Sequence, residues 1–207
     1  MNKDGILKRL QNWQGKDLHI RGDDDLNPGM APPQTLVPAA VLVGLVDRDD
    51  GFHVLLTERA EHLPQHPGQI SFPGGRIEDF DVSEEDAALR ETKEETGLSG
   101  RHIETIGRLD AYRTRTGFRI TPVVGLISPP FEIKPDTREV ASVFEVPLAF
   151  FLNPENHQRL RRPFDGVMRE YYAMPYDDYY IWGATAGMLV NLYEILAAPD
   201  AATRKAI

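Results

Sequence analysis

The sequence predicts an α/β sandwich built as one main domain, on three observations. Ala39 to Val46 is a continuous apolar run rich in valine, the pattern of a buried strand. Gly183 to Ala197 repeats Thr185, Met188, Leu189, Leu192, Ile195 and Leu196 along one side, the stripe of a core-facing helix. Between them lies a charged stretch after Ser83 that carries helix start and stop signals. The 207 residues, 41% hydrophobic and 27% charged, suit a domain with a sizeable core.

Ile6 to Trp13 is expected to form a short amphipathic helix with Ile6, Leu7, Leu10 and Trp13 on one side. Residues 21–35, rich in Gly, Pro and Asp, read as a linker or arm. Residues 1–35 are therefore taken as an N-terminal helix and arm, 36–200 as the main domain and 201–207 as a tail. A dimer arm, a lid and a disordered segment all remain open for residues 1–35, and a homodimer with them. Asp49-Asp50-Gly51 should turn the chain into a second strand, Phe52 to Thr57, as a hairpin. Further strands are expected near Ile103 to Leu109 and over Phe118 to Ile127. Pro147 to Leu152 should start a short helix, and Met168 to Tyr180 carries strand-like aromatics.

Bulk properties exclude several function classes. A net charge of −9 argues against nucleic acid as a partner. With no cysteine there is no disulfide framework, thiol nucleophile or cysteine zinc site. No apolar run reaches spanning length and no signal-peptide pattern opens the chain, so no membrane partner and a cytoplasmic location are expected.

The most informative stretch runs from Phe72 to Gly97. Gly74 and Gly75 end a strand-like run and let the backbone come close to a ligand, so that the Gly74 carbonyl could join a metal shell. Ser83 can cap a helix whose first turn holds Glu84, Glu85 and Asp86, where the helix dipole favours negative charge. Gly97 sits where a left-handed cap would end it. Glu91, Glu94 and Glu95 share one face, because positions three and four apart lie together. Such clustered carboxylates suit Mg2+ or Mn2+. Arg90 stands one turn before Glu94 and can orient it.

This stretch resembles the Nudix box, G-x5-E-x7-R-E-U-x-E-E-x-G-U with U aliphatic. Gly75, Arg90, Glu91, Glu94, Glu95, Gly97 and Leu98 match it. Asp81 stands for the first Glu, one residue too far from Arg90, and is given no specific role; Thr92 fills an aliphatic position. The resemblance implies an α/β/α sandwich with a mixed sheet. Upstream, Leu55, Leu56, Thr57, Arg59, Leu63, His66, Gly68, Gln69 and Phe72 to Gly75 resemble the L-L-T-x-R-S-x-x-L-x-x-H-x-G-Q-x-x-F-P-G-G signature of the coenzyme A pyrophosphatase branch.

That resemblance implies metal-dependent hydrolysis of the coenzyme A phosphoanhydride to 3′,5′-ADP and 4′-phosphopantetheine. Glu91, Glu94, Glu95 and the Gly74 carbonyl would hold Mg2+ or Mn2+. Arg59, His66, Gln69 and Gly75 would contact the substrate. Glu94 and Glu139 are both candidates for the general base, and Arg90 supports the catalytic set. For the 3′-phosphate, Arg159, Arg161 and Arg162 form one basic patch. Arg113, Arg115 and Arg119 form another, unless they are the outward face of a strand. Tyr112 and Phe118 are available to the adenine. Two alternatives stand: another nucleoside diphosphate derivative such as ADP-ribose as substrate, or a non-catalytic nucleotide-binding regulator.

Overall fold

The computed structural model describes residues 1–14, 20–31, 33–164 and 166–197, so the tail 201–207 lies outside the described residues. Helix α1 (Lys3–Gln14) leads into strand β1 (Ile20–Gly22), then the hairpin β2 (Val37–Arg48) and β3 (Gly51–Arg59). Two short strands follow, β4 (Ile70–Ser71) and β5 (Gly74–Arg76), and then helix α2 (Glu84–Thr96). The central part continues through β6 (Ile103–Arg108), β7 (Ala111–Arg113), β8 (Phe118–Ile127) and β9 (Val140–Pro147). Helix α3 (Leu148–Phe151), strands β10 (Gln158–Phe164), β11 (Val167–Tyr176) and β12 (Tyr179–Trp182), and helix α4 (Ala184–Ala197) complete it.

β2 is the spine. Its residues Ala39 to Val46 are all buried, as expected of a strand covered on both faces. It pairs in parallel with β8 along its length, from Val37 opposite Phe118 to Val46 opposite Ile127. Its other edge is shared. Ala39 to Val41 pair with β5, whereas Leu45 to Arg48 pair with β3. The sheet therefore forks beside Val41, and the two glycines of β5 are pinned in the fork.

Strand alternation sends successive β2 side chains to opposite faces. Val41, Val43 and Leu45 pack with Ile6 and Leu10 of α1 and with Leu189 and Leu192 of α4. Ala40, Leu42 and Val46 pack with Ala87 and Ala88 of α2 and with Leu98. The layers are helix, mixed sheet, helix, as the sequence implied. β10, β11 and β12 form a separate antiparallel sheet. The stacked rings of Phe144 and Tyr179, 3.6 Å apart, join it to the main one.

Two expectations need correction. The linker read over residues 21–35 begins inside a strand, since β1 pairs in parallel with β7 at the sheet edge. β10 was read only as a basic patch. Its pairing with β11 divides that patch by alternation: Arg159 and Arg161 both pair with Glu170 on one face, and Arg162 points to the other. α1 and β1 are fastened to the sheet through Asp110, which is 4% exposed. Its carboxylate accepts from Trp13 Nε1 at 2.8 Å, Arg21 Nε at 2.9 Å and Asn191 Nδ2 at 3.2 Å. Among the described residues, no helix is long and apolar enough to cross a membrane.

Candidate active site

The site starts with the α2 helix and the glycines of β5. Ser83 accepts from the Asp86 amide at 3.1 Å to begin α2, and Gly97, at φ 74°, ends it with its amide on the Lys93 carbonyl. Thr92 fits its aliphatic position because its hydroxyl donates to the Ala88 carbonyl at 2.7 Å and is satisfied inside the helix. A Cβ at Gly74 would lie 2.4 Å from the Ala40 carbonyl oxygen, and one at Gly75 would lie 2.6 Å from the Glu91 carboxylate. Any side chain at either position would displace β2 or Glu91. The Gly74 amide donates to Glu95 Oε2 at 3.2 Å, so strand and helix meet through this carboxylate.

Arg90 clamps the acidic side chains. Its Nη1 donates to Glu91 Oε1 at 2.8 Å and to Glu94 Oε2 at 3.0 Å. Its Nε and Nη2 bind the two oxygens of Asp81, each at 2.9 Å. Asp81 therefore has a specific place after all, as the second arm of a fork that fixes Arg90. A turn over residues 78–81, closed by the Asp81 amide on the Glu78 carbonyl at 3.0 Å, keeps Asp81 within reach of Arg90. The Arg90 guanidinium holds the Asp81 carboxyl below the usual carboxylate range.

The three glutamates differ in environment. Glu95 is 5% exposed, Glu91 is half-buried and Glu94 is exposed. Burial, reinforced by the charges of Glu91 and Glu139, pushes the Glu95 carboxyl up to about 8 against the pull of the Gly74 amide and Arg59. Burial also raises Glu91, with the neighbouring charges of Glu94 and Glu139 adding to it and Arg90 opposing.

Arg59 and its companions are placed by backbone pairing. The Arg59 amide donates to the Gln69 carbonyl at 3.0 Å, and the Gly68 amide to the Arg59 carbonyl at 3.1 Å, closing the loop that carries His66. The Ala60 amide donates to the Glu139 carbonyl at 2.9 Å. The loop before β9 hangs on the end of α2 through Asp136 N to Glu95 O at 3.0 Å and Lys134 N to Thr96 O at 2.8 Å. Glu139 is thus held between Arg59 and Glu95 by main-chain bonds that sequence does not reveal.

A cavity of about 640 Å3 joins these parts. Its walls include Arg59, His66, Gln69, Gly74, Gly75, Glu91, Glu95 and Glu139; Glu94 lies outside it, tied to Arg90. Tyr112 and Phe118 also line it, but Tyr112 is fixed by a 2.8 Å bond from its hydroxyl to Asp23. Asn27, Arg169 and Trp182, to which sequence reasoning assigned no site role, lie in the same walls. Among the described residues no three acidic or histidine side chains converge as a ready ligand set. The donors nevertheless fit a hard divalent cation: they are carboxylate oxygens whose mutual repulsion and burial such an ion would offset. Opposite them, the buried Nε of Arg59 has no acceptor.

The NUDIX domain pattern matches residues 35–185. The chain belongs to the Nudix family. An uncharacterized Nudix hydrolase, NudL, from Enterobacter sp. (strain 638) is 41% identical over 154 residues, covering 74% of this chain and 80% of that protein. NudL from Escherichia coli (strain K12) is 40% identical over the same shares. Among solved structures, DR0079 from Deinococcus radiodurans is similar at a TM-score of 0.50 and 12% identity, covering 80% of this chain and 89% of that one, a likeness of fold alone. Nudix hydrolase is accordingly the activity class of this chain, and the cavity holds the residues of the Nudix box that face inward.

Proposed function

We propose that this Nudix hydrolase cleaves the phosphoanhydride of coenzyme A or its derivatives, releasing 3′,5′-ADP and 4′-phosphopantetheine or its acylated form. One observation carries the reading: Arg59, His66 and Gln69 of the upstream motif line the same cavity as Glu91, Glu95 and Glu139. Shared walls support the reading that the motif that suggested the substrate and the box that suggested the chemistry act on one ligand.

Glu91, Glu95 and Glu94, with the Gly74 carbonyl, would hold Mg2+ or Mn2+. When bound, such an ion withdraws charge from the bridging phosphates and acidifies a water. Arg59 offers its guanidinium fork to a phosphate oxygen, which the unsatisfied Nε favours. His66 and Gln69, on the loop closed onto Arg59, fix the orientation of the same group. Glu139, which lines the cavity with Glu95, would accept the proton of the attacking water; Glu94, bound to Arg90 outside the cavity, is the weaker candidate. Arg90 acts through its neighbours, holding Glu91 and Glu94 in position while Asp81 holds it.

Product analysis tests the reading. Coenzyme A incubated with the protein and Mg2+ or Mn2+ should give 3′,5′-ADP on ion-pair chromatography, and none with chelator. Cleavage of ADP-ribose with coenzyme A left intact would discard the upstream motif as the determinant of substrate.

A further inference from the structure

We propose that Arg169 and Arg162, on the small sheet, form a second anion subsite that takes a phosphomonoester of the substrate remote from the anhydride that is cleaved. This deepens the coenzyme A reading and rests on it for the identity of that phosphate.

Arg169 of β11 lies directly opposite Arg162 of β10. Like charges facing each other across a strand pair are destabilising unless something neutralises them. On the other face of the same pair, that need is met internally: Glu170 takes both Arg159 and Arg161. Among the described residues no carboxylate lies within ion-pair distance of Arg162 or Arg169. The Arg169 Nε is buried with no acceptor, and Arg59 Nε is the other such nitrogen among the described residues. Leaving a buried charged donor unsatisfied is costly. Both arginines, on different strands, line the one cavity.

The two arginines differ in how they are held. The Arg162 guanidinium lies 4.2 Å from the centre of the Trp182 ring and 5.6 Å from that of Tyr171, so its plane is fixed by cation–π contact. Next to Arg169, the Glu170 backbone is bound at both its amide and its carbonyl by Asn27, at 2.9 and 3.0 Å. The segment around Asn27 thus straps β11 to the cavity wall. Pre-positioned arginine forks of this kind suit a dianionic phosphate better than a neutral group. Arg59 and the carboxylates serve the anhydride, and Arg169 and Arg162 serve a second phosphate at the small sheet.

Calorimetric titration tests this with two ligands that contain no anhydride, adenosine 3′,5′-bisphosphate and adenosine 5′-monophosphate, in the presence of Mg2+. The wild type should bind the bisphosphate on the order of tenfold more tightly. Arg169→Ala should remove most of that advantage and leave the monophosphate affinity in place. Arg162→Ala, at an exposed position, should reduce it without disturbing the fold, which a matching circular dichroism spectrum checks. Equal affinities in the wild type, no binding of either ligand, or equal weakening of both in Arg169→Ala would overturn the subsite. Coenzyme A turnover is read separately: a bisphosphate advantage without coenzyme A hydrolysis would keep the subsite and reject the substrate, and hydrolysis without the advantage would do the reverse.

Discussion

Glu95→Gln should stabilise the metal-free protein at alkaline pH while abolishing most of its activity. The Glu95 carboxyl, ordinarily at 4.5, is pushed up to about 8 by burial and by the charges of Glu91 and Glu139. The folded state therefore holds its proton more tightly than the unfolded chain. Between those two values the folded protein binds more protons, so stability falls as pH rises and the penalty is complete above the upper one. Each tenfold difference in proton affinity is about 1.4 kcal/mol, which puts the ceiling of the penalty on the order of 5 kcal/mol before structural relaxation reduces it. Gln keeps the shape and an oxygen for the Gly74 amide but carries no charge. Urea unfolding with chelator should find the variant more stable by roughly 2–4 kcal/mol at about pH 8.5, and the gain should vanish near about pH 5. Added Mg2+ should stabilise the wild type and leave the variant unchanged. Turnover at saturating Mg2+ should fall about a hundredfold or more. A variant no more stable than wild type at the higher pH would refute the electrostatic argument, and near-normal turnover would refute the metal assignment.

Other perturbations follow from the same geometry. Gly75→Ala puts a methyl group against the Glu91 carboxylate and should raise the Mg2+ needed for half-maximal rate by about tenfold, measured by metal titration of the initial rate. Asp81→Asn weakens the fork that fixes Arg90 and should move the same half-saturation upward, whereas a curve identical to wild type would leave Asp81 without a role. Asp110→Ala strands the donors of Trp13, Arg21 and Asn191 and should cost roughly 2–3 kcal/mol in urea unfolding. Apparent Mg2+ affinity, measured from the rate at several pH values, should increase as pH rises towards the Glu95 value of about 8, because binding must displace its proton.

The sequence was most legible where local rules agree. The valine-rich run of β2, the Asp50-Gly51 turn, the Ser83 and Gly97 caps and the stripe of α4 all formed as their residues indicated. β1 and β7 were invisible because three residues carry no period; β7 forms by pairing with β8, and β1 adds to it as the edge strand. β10 was hidden by its arginines, two of which, Arg159 and Arg161, are neutralised by Glu170 in the facing strand. The glutamate spacing foretold one helix face, but it did not reveal that Glu95 is buried under Gly74 while Glu94 turns out to Arg90. Glu139 could be proposed from its loop, yet its position beside Arg59 follows from main-chain bonds to Ala60 and α2. The role of Asp81 was missed because a turn over residues 78–81, rather than helical spacing, brings it to Arg90.

If the upstream arginine and the box carboxylates act on one coenzyme A-class substrate, removing the arginine must cost activity on that substrate. The most direct test is kcat/KM for coenzyme A beside ADP-ribose and a dinucleotide polyphosphate, in wild type and Arg59→Ala, at saturating Mg2+. Coenzyme A should be preferred by at least about tenfold, and Arg59→Ala should lower its kcat/KM by about a hundredfold. Preference for either of the other substrates, or an Arg59→Ala variant as active on coenzyme A as wild type, would contradict this reading.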